Sequence, residues 1–192
     1  MINIVMFGPP GAGKGTQAQK LAKAYELIHL STGDILRSEI SKSTELGLQA
    51  KALLDRGELV PDEIVTGIIV NRFDKDAKGY VFDGFPRTKP QAEALDNLLA
   101  RENTSITMML SLNVPNDELI TRILIRKQDS GRSDDADESI IQNRIAEYNR
   151  KTAPLIEYYS AQGKYFDVKG TGSIDEITQR LSEIIESNIP HV

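Results

Sequence analysis

Ile2-Asn3-Ile4-Val5-Met6-Phe7 runs directly into Gly8-Pro9-Pro10-Gly11-Ala12-Gly13-Lys14-Gly15-Thr16 and on into the helical pattern of Gln17 to Tyr25. The first six residues are flat in polarity and rich in branched side chains, as in a strand covered on both faces. Glycines let the backbone take positive φ, so successive N–H groups can turn inward around a phosphate. A helix beginning near Lys14 adds the positive end of its dipole, and the Lys14 ammonium can reach the outer phosphates of a nucleotide. Strand, loop and helix in this order are the context that a phosphate-binding loop requires.

One position departs from the general form of such loops. Gly15 follows Lys14, and the hydroxyl arrives one residue later at Thr16. The side chain that often holds Mg²⁺ is therefore missing from its usual place. The ion is expected to be held by phosphates and waters, with no direct protein ligand. Asp83, just past an apolar run, is the carboxylate placed to orient those waters.

Outward from this segment, the pattern of apolar run, turn and amphipathic helix repeats. Ile28–Ser31, Tyr80–Phe82, Ile106–Leu112 and Tyr165–Val168 read as further strands. Ile64, Val65, Ile68 and Ile69 share one face of a helix starting near Pro61-Asp62. A last helix starts near Ser173, with Asp175 and Glu176 in its first turn and Ile177, Leu181 and Ile184 on one side. The expectation is an α/β fold: a three-layer sandwich around a five-stranded parallel sheet, residues 1–192 forming one domain. Two segments do not fit plain alternation. Residues 32–73 hold several helical patterns and no strand, and Lys127–Asp137 is a polar stretch read as a mobile loop.

Composition narrows the function. With 192 residues the chain can bury a real core without staples, and 40% hydrophobic with 27% charged residues is an ordinary globular mix. The absence of cysteine excludes disulfide scaffolds, thiolate zinc sites and cysteine nucleophiles. The two histidines, His29 and His191, lack metal-ligand spacing. A net charge of −5 argues against binding nucleic-acid backbones, and no apolar run is long enough for a membrane span. With no basic leader at the N-terminus, a cytoplasmic monomer is the default expectation.

Further motifs carry a resemblance. Residues 8–17, Ser31-Thr32-Gly33-Asp34 with Arg37, Asp83-Gly84-Phe85-Pro86-Arg87 with Gln91, Arg144 in its helix, and Thr152-Ala153-Pro154-Leu155-Ile156 resemble adenylate kinase, in the family's order. The resemblance implies reversible transfer of the ATP γ-phosphoryl group to AMP, giving two ADP. It assigns ATP, as its Mg²⁺ complex, to Gly11, Ala12, Gly13, Lys14, Gly15, Thr16, Arg122, Arg126 and the backbone near Gly172. It assigns AMP to Thr32, Gly33, Arg37, Glu58, Leu59, Val60, Gly84, Phe85, Pro86, Arg87, Gln91, Arg132 and Arg144. Lys14, Asp83, Arg87, Arg126, Arg132 and Arg144 are the implied catalytic set. Residues 31–60 become a helical AMP-binding insertion, and 126–136 a short lid without the zinc that cysteine-bearing lids carry. Uridylate and cytidylate kinases share the scaffold and stay open as alternatives at Thr32 and Gln91.

Physical chemistry asks for the same arginines. Two unit charges about 5 Å apart at an effective dielectric near 20 repel by roughly 3 kcal/mol, and two facing phosphate chains present several such pairs. An acceptor phosphate is already a nucleophile, so the chemistry needs positioning and charge neutralisation more than a general base. A nucleotide-driven switch is the rival from another class. Its guanine-reading string has only Asn71-Arg72-Phe73-Asp74 as a counterpart, with Arg for Lys and inside a helical pattern. An AMP sensor without turnover is a third reading, and it predicts no ADP from ATP and AMP.

Overall fold

The computed structural model describes residues 1–130 and 138–189. Five strands, β1 (Ile2–Phe7), β2 (Ile28–Ser31), β3 (Gly79–Asp83), β4 (Met108–Asn113) and β5 (Tyr165–Lys169), form one sheet in the order β2-β3-β1-β4-β5. Every pairing is parallel; Ile4 sits between Val81 of β3 and Met108 of β4. The helices are α1 (Lys14–Ala24), α2 (Thr32–Ser41), α3 (Glu45–Leu54), α4 (Asp62–Val70), α5 (Lys89–Arg101), α6 (Asn116–Ser130), α7 (Glu138–Glu147), α8 (Leu155–Ser160) and α9 (Ile174–Asn188). A π-helical turn, Tyr148–Thr152, follows α7.

Side-chain alternation along β1 feeds two cores. Val5 and Phe7 join Phe82, Met109, Leu95 and Tyr159 on one face, under α4, α5 and α8. Ile4 and Met6 join Leu110, Leu21, Leu181 and Ile185 on the other, under α1 and α9. With both faces covered, the strands read as unbroken apolar runs, and the expected three-layer sandwich is what the chain builds.

Three boundaries differ from the sequence expectation. Asp83 closes β3 instead of following it. Ile106 is buried but precedes β4, because Asn3 engages that segment otherwise: its amide side chain donates to Thr104 Oγ1 (3.1 Å) and Ser105 O (3.0 Å). Lys127–Ser130 is not loop: α6 runs through it, since nothing polar there breaks a helix before Gly131. Of the stretch expected as a lid, 126–130 is thus helical, and 131–136 lies outside the described residues.

The long β2–β3 connection carries three helices, α2, α3 and α4, and no strand. Ser31 and Thr44 cap α2 and α3 by accepting hydrogen bonds from Asp34 N and Gly47 N. At Gly47 the two helices touch: a Cβ there would stand 2.2 Å from Glu39 O, so only glycine permits this approach. All five strands are parallel, so their carboxyl ends lie along one edge. The loops after β1, β3 and β5 gather there beside the start of α2, which is where such sheets bind ligands.

Candidate active site

The loop between β1 and α1 has positive φ at Gly8, Gly11 and Gly13. Gly13 is the N-cap of α1 with no side-chain cap, so the first amides of the helix point toward the cleft unassisted. Lys14 folds back over this loop, its Nζ donating to Gly8 O (2.8 Å) and Pro9 O (2.9 Å). Burial pushes the ammonium down to about 7; Asp83 opposes that shift, while Arg87, Arg144 and Arg126 add to it. This lysine is thus buried beside one carboxylate and three guanidinium groups.

Gly15 explains its own departure from the usual loop. A Cβ there would lie 3.3 Å from Asp83 Oδ2, so the bare backbone is what lets that carboxylate approach the start of α1. Burial pushes the Asp83 carboxyl up, but His29, Lys14 and Arg87 outweigh it and hold it below the ordinary range. His29 Nε2 lies 3.5 Å from Asp83 Oδ2. The sequence reading set His29 aside. Its signal was the register: His29 and Ser31 pair with Val81 and Asp83, which puts His29 on the face that Asp83 presents.

The turn after β3 is tied down from every side. Gly84 O accepts from Thr32 Oγ1 (2.9 Å) and from Arg87 Nε (2.8 Å). Arg87 N donates to Gln91 Oε1 (2.7 Å), and Thr152 Oγ1 donates to Arg87 O (2.8 Å). Phe85–Pro86 is a cis peptide bond. Phe85 is 1% exposed and belongs to the core cluster that also holds Phe7 and Phe82. Its side chain anchors the turn while Pro86 and Arg87 line the cavity wall.

Two clefts open at this edge. One is walled by Thr32, Gly33, Arg37, Glu58, Leu59, Val60, Gly84, Pro86, Arg87, Gln91 and Arg144. The other is walled by Gly11, Ala12, Gly13, Gly15, Thr16, Asp83, Arg122, Arg126 and Gly172. Lys14, Arg37, Arg87 and Arg144 belong to both walls, so the clefts meet at a knot of positive charge. Arg132 lies outside the described residues.

Arg122 has a structural task in addition to its place in the wall. Its guanidinium donates to Ala12 O (3.3 Å) and Gly170 O (2.9 Å) and pairs with Glu118, tying the phosphate loop to the turn after β5. Arg180, set aside as a surface residue, braces the same turn by donating to Lys169 O (2.9 Å) and Thr171 O (2.7 Å). Its signal was its place two turns into α9, facing back to the loop that starts that helix.

A phosphate cradle opening into a second, arginine-walled cleft defines a P-loop phosphotransferase that brings two phosphorylated substrates together. The family model described as adenylate kinase matches residues 6–164. The adenylate kinases of Flavobacterium johnsoniae and Flavobacterium psychrophilum are 50% and 51% identical over 189 residues, which is 97% of this chain and all of each relative. That of Bacteroides fragilis is 47% identical over the same span. The chain belongs to the adenylate kinase family.

Proposed function

We propose that the chain catalyses reversible transfer of the γ-phosphoryl group from Mg²⁺-bound ATP to AMP, giving two ADP, with ATP in the loop cleft and AMP in the arginine-walled one. The observation that carries this reading is the shared wall: Lys14, Arg37, Arg87 and Arg144 border both clefts. An in-line displacement needs donor and acceptor phosphates at one point with their charges neutralised.

In this course, an AMP phosphate oxygen attacks the γ-phosphorus as the bond to the β,γ-bridging oxygen breaks. Lys14 and the amides of Gly11 to Thr16 hold the donor chain, with Arg126 and the Arg122-braced turn around Gly172 beside it. Arg37 and Arg87 grip the acceptor phosphate, and Arg144 spans the transferring group. Thr32, Gly33, Gly84 and Gln91 with the Glu58–Val60 backbone surround the nucleoside. Arg132 is assigned to the transferring group by resemblance alone, and residues 31–60 and 126–136 to the AMP-binding insertion and the lid.

Asp83 fits a Mg²⁺ ion: it is a buried carboxylate held ionised, on the loop-cleft wall next to the missing side chain of Gly15. Among the described residues no group of three or more His, Cys, Asp or Glu is placed to hold a metal ion. Asp83 would hold the ion through its waters, and the ion would supply charge neutralisation to the phosphates. Among the described residues no helix is long and apolar enough to cross a membrane. We assign the chain to the cytoplasm, as a monomer acting on ATP, AMP and ADP and binding no nucleic acid.

The test is ADP formation from ATP and Mg²⁺ with AMP, UMP, CMP, GMP or water as acceptor. AMP is expected to be preferred and water to be negligible. No ADP with AMP would overturn the assignment, and a preference for UMP or CMP would move the chain to a sister specificity.

A further inference from the structure

Gln91 is 1% exposed and both ends of its amide are already engaged. Oε1 accepts from Arg87 N (2.7 Å), and Nε2 donates to Asp62 Oδ1 (2.7 Å). An amide is symmetric in shape but not in polarity, and a half-turn about its last torsion exchanges donor for acceptor. Here neither end tolerates that exchange. A flipped amide would set its NH₂ against the Arg87 N–H and its carbonyl oxygen against a carboxylate that offers only acceptors. Arg87 N is backbone and cannot vary with sequence, so the side chain that completes the lock is Asp62.

Asp62 sits 29 positions before Gln91, at the start of α4, and is not part of the cavity wall that Gln91 joins. It therefore reaches a ligand only through Gln91. Each end of the locked amide keeps one further hydrogen-bonding site, acceptor on the Arg87 side and donor on the Asp62 side. A 6-aminopurine presents an N–H₂ donor beside a ring-nitrogen acceptor, the complement of that order. A 6-oxopurine presents a carbonyl beside an N–H, the reverse.

We propose that Asp62 is a specificity-determining positioning residue: by holding Gln91 in one amide orientation, it makes the acceptor cleft favour 6-amino over 6-oxopurine monophosphates. The proposal rests on the reading of this cleft as the AMP site. The experiment compares AMP with inosine monophosphate as acceptor, for the wild-type chain and for Asp62→Ala, Asp62→Ser and Asp62→Asn. Inosine monophosphate is chosen because it differs from AMP at the 6-position and the adjacent ring nitrogen without adding a 2-amino group.

Removing the acceptor in Asp62→Ala is expected to raise the AMP KM about tenfold and to narrow the AMP-to-inosine preference by a similar factor, with kcat and the ATP KM little changed. Asp62→Asn can still turn an oxygen toward Gln91 and is expected to restore the preference, although it loses the charge at the helix start. Serine suits the first turn of a helix, so Asp62→Ser carries the measurement if the alanine variant does not fold. A preference unchanged in Asp62→Ala or Asp62→Ser, with only the melting temperature lowered, would leave Asp62 a helix-start residue and overturn the proposal. Absence of AMP turnover in the wild-type chain would instead overturn the reading of the cleft, so the two failures are distinguishable.

Discussion

Replacing Arg87 by lysine separates recognition by shape from recognition by charge. The turn that carries Arg87 is held by its backbone, through Arg87 N to Gln91 and Thr152 to Arg87 O, and both bonds survive the substitution. What is lost is the guanidinium's own anchor, Nε to Gly84 O at 2.8 Å, and the fork that this anchor aims along both cleft walls. The anchor is a neutral-acceptor hydrogen bond worth about 1 kcal/mol. Trading a bidentate charge-assisted grip on phosphate for a point charge forfeits about one further charged hydrogen bond, or roughly 1.5 kcal/mol. The sum of about 2.5 kcal/mol corresponds to a 50- to 100-fold rise in the AMP KM, at 1.4 kcal/mol per decade. Initial rates of ADP formation, with AMP varied at saturating ATP and then the reverse, measure it. The ATP KM is expected to move severalfold less, and the melting temperature by under about 3 °C. An AMP KM within twofold of wild type would refute the reasoning, since the fork would then have no phosphate to hold.

Further outcomes follow from single contacts. Lys14, with a pKa near 7 in the nucleotide-free protein, is mostly neutral at pH 8; binding a triphosphate is expected to recharge it and take up close to one proton. Calorimetric titration of a nonhydrolysable ATP analogue in two buffers of different ionisation heat reads this uptake, and identical heats in both, or an uptake that persists in Lys14→Met, would contradict it. Because the folded-state pKa lies below the unfolded value of 10.5, the unfolded chain binds the extra proton between pH 7 and 10.5, and this group's contribution makes stability rise with pH across that window. Asp83→Asn removes the carboxylate placed for the ion, so the Mg²⁺ concentration for half-maximal rate is expected to rise about tenfold; an unchanged Mg²⁺ titration would remove Asp83 from that role. In an exposed helix interior Gly→Ala stabilises by about 1 kcal/mol, but Gly47→Ala drives a methyl into the Glu39 backbone and is expected to destabilise by about 2 kcal/mol, a fall of about 4–8 °C in the melting temperature. A melting temperature at or above wild type would show that α2 and α3 can part without cost.

How much of this was legible in the chain depends on the range of the interactions involved. The strand, loop and helix of residues 2–24 are legible where they stand, because an unbroken branched apolar run, a glycine cluster and a helical pattern are all local signals. Lys127–Ser130 was misread for the converse reason: polarity was taken for a break, although no residue before Gly131 ends a helix. The motif named Phe85 but not its burial, which comes from the apolar ends of β1 and β3 beside it, where an aromatic ring gains by entering the core. Gln91 was read for its chemistry, but nothing near it in the chain announced Asp62 as its partner.

By itself the chain determined the α/β alternation, the phosphate cradle and which cations were available, since these rest on backbone geometry and side-chain type within a few residues. Only the folded structure decided that the carboxyl ends of β1 and β3 stand side by side, so that Lys14, Arg37, Arg87 and Arg144 meet at one junction and Gly15 admits Asp83. Strand order and side-chain pairing across tens of residues are chosen by the packing of two cores at once, and no local stretch of sequence holds that information.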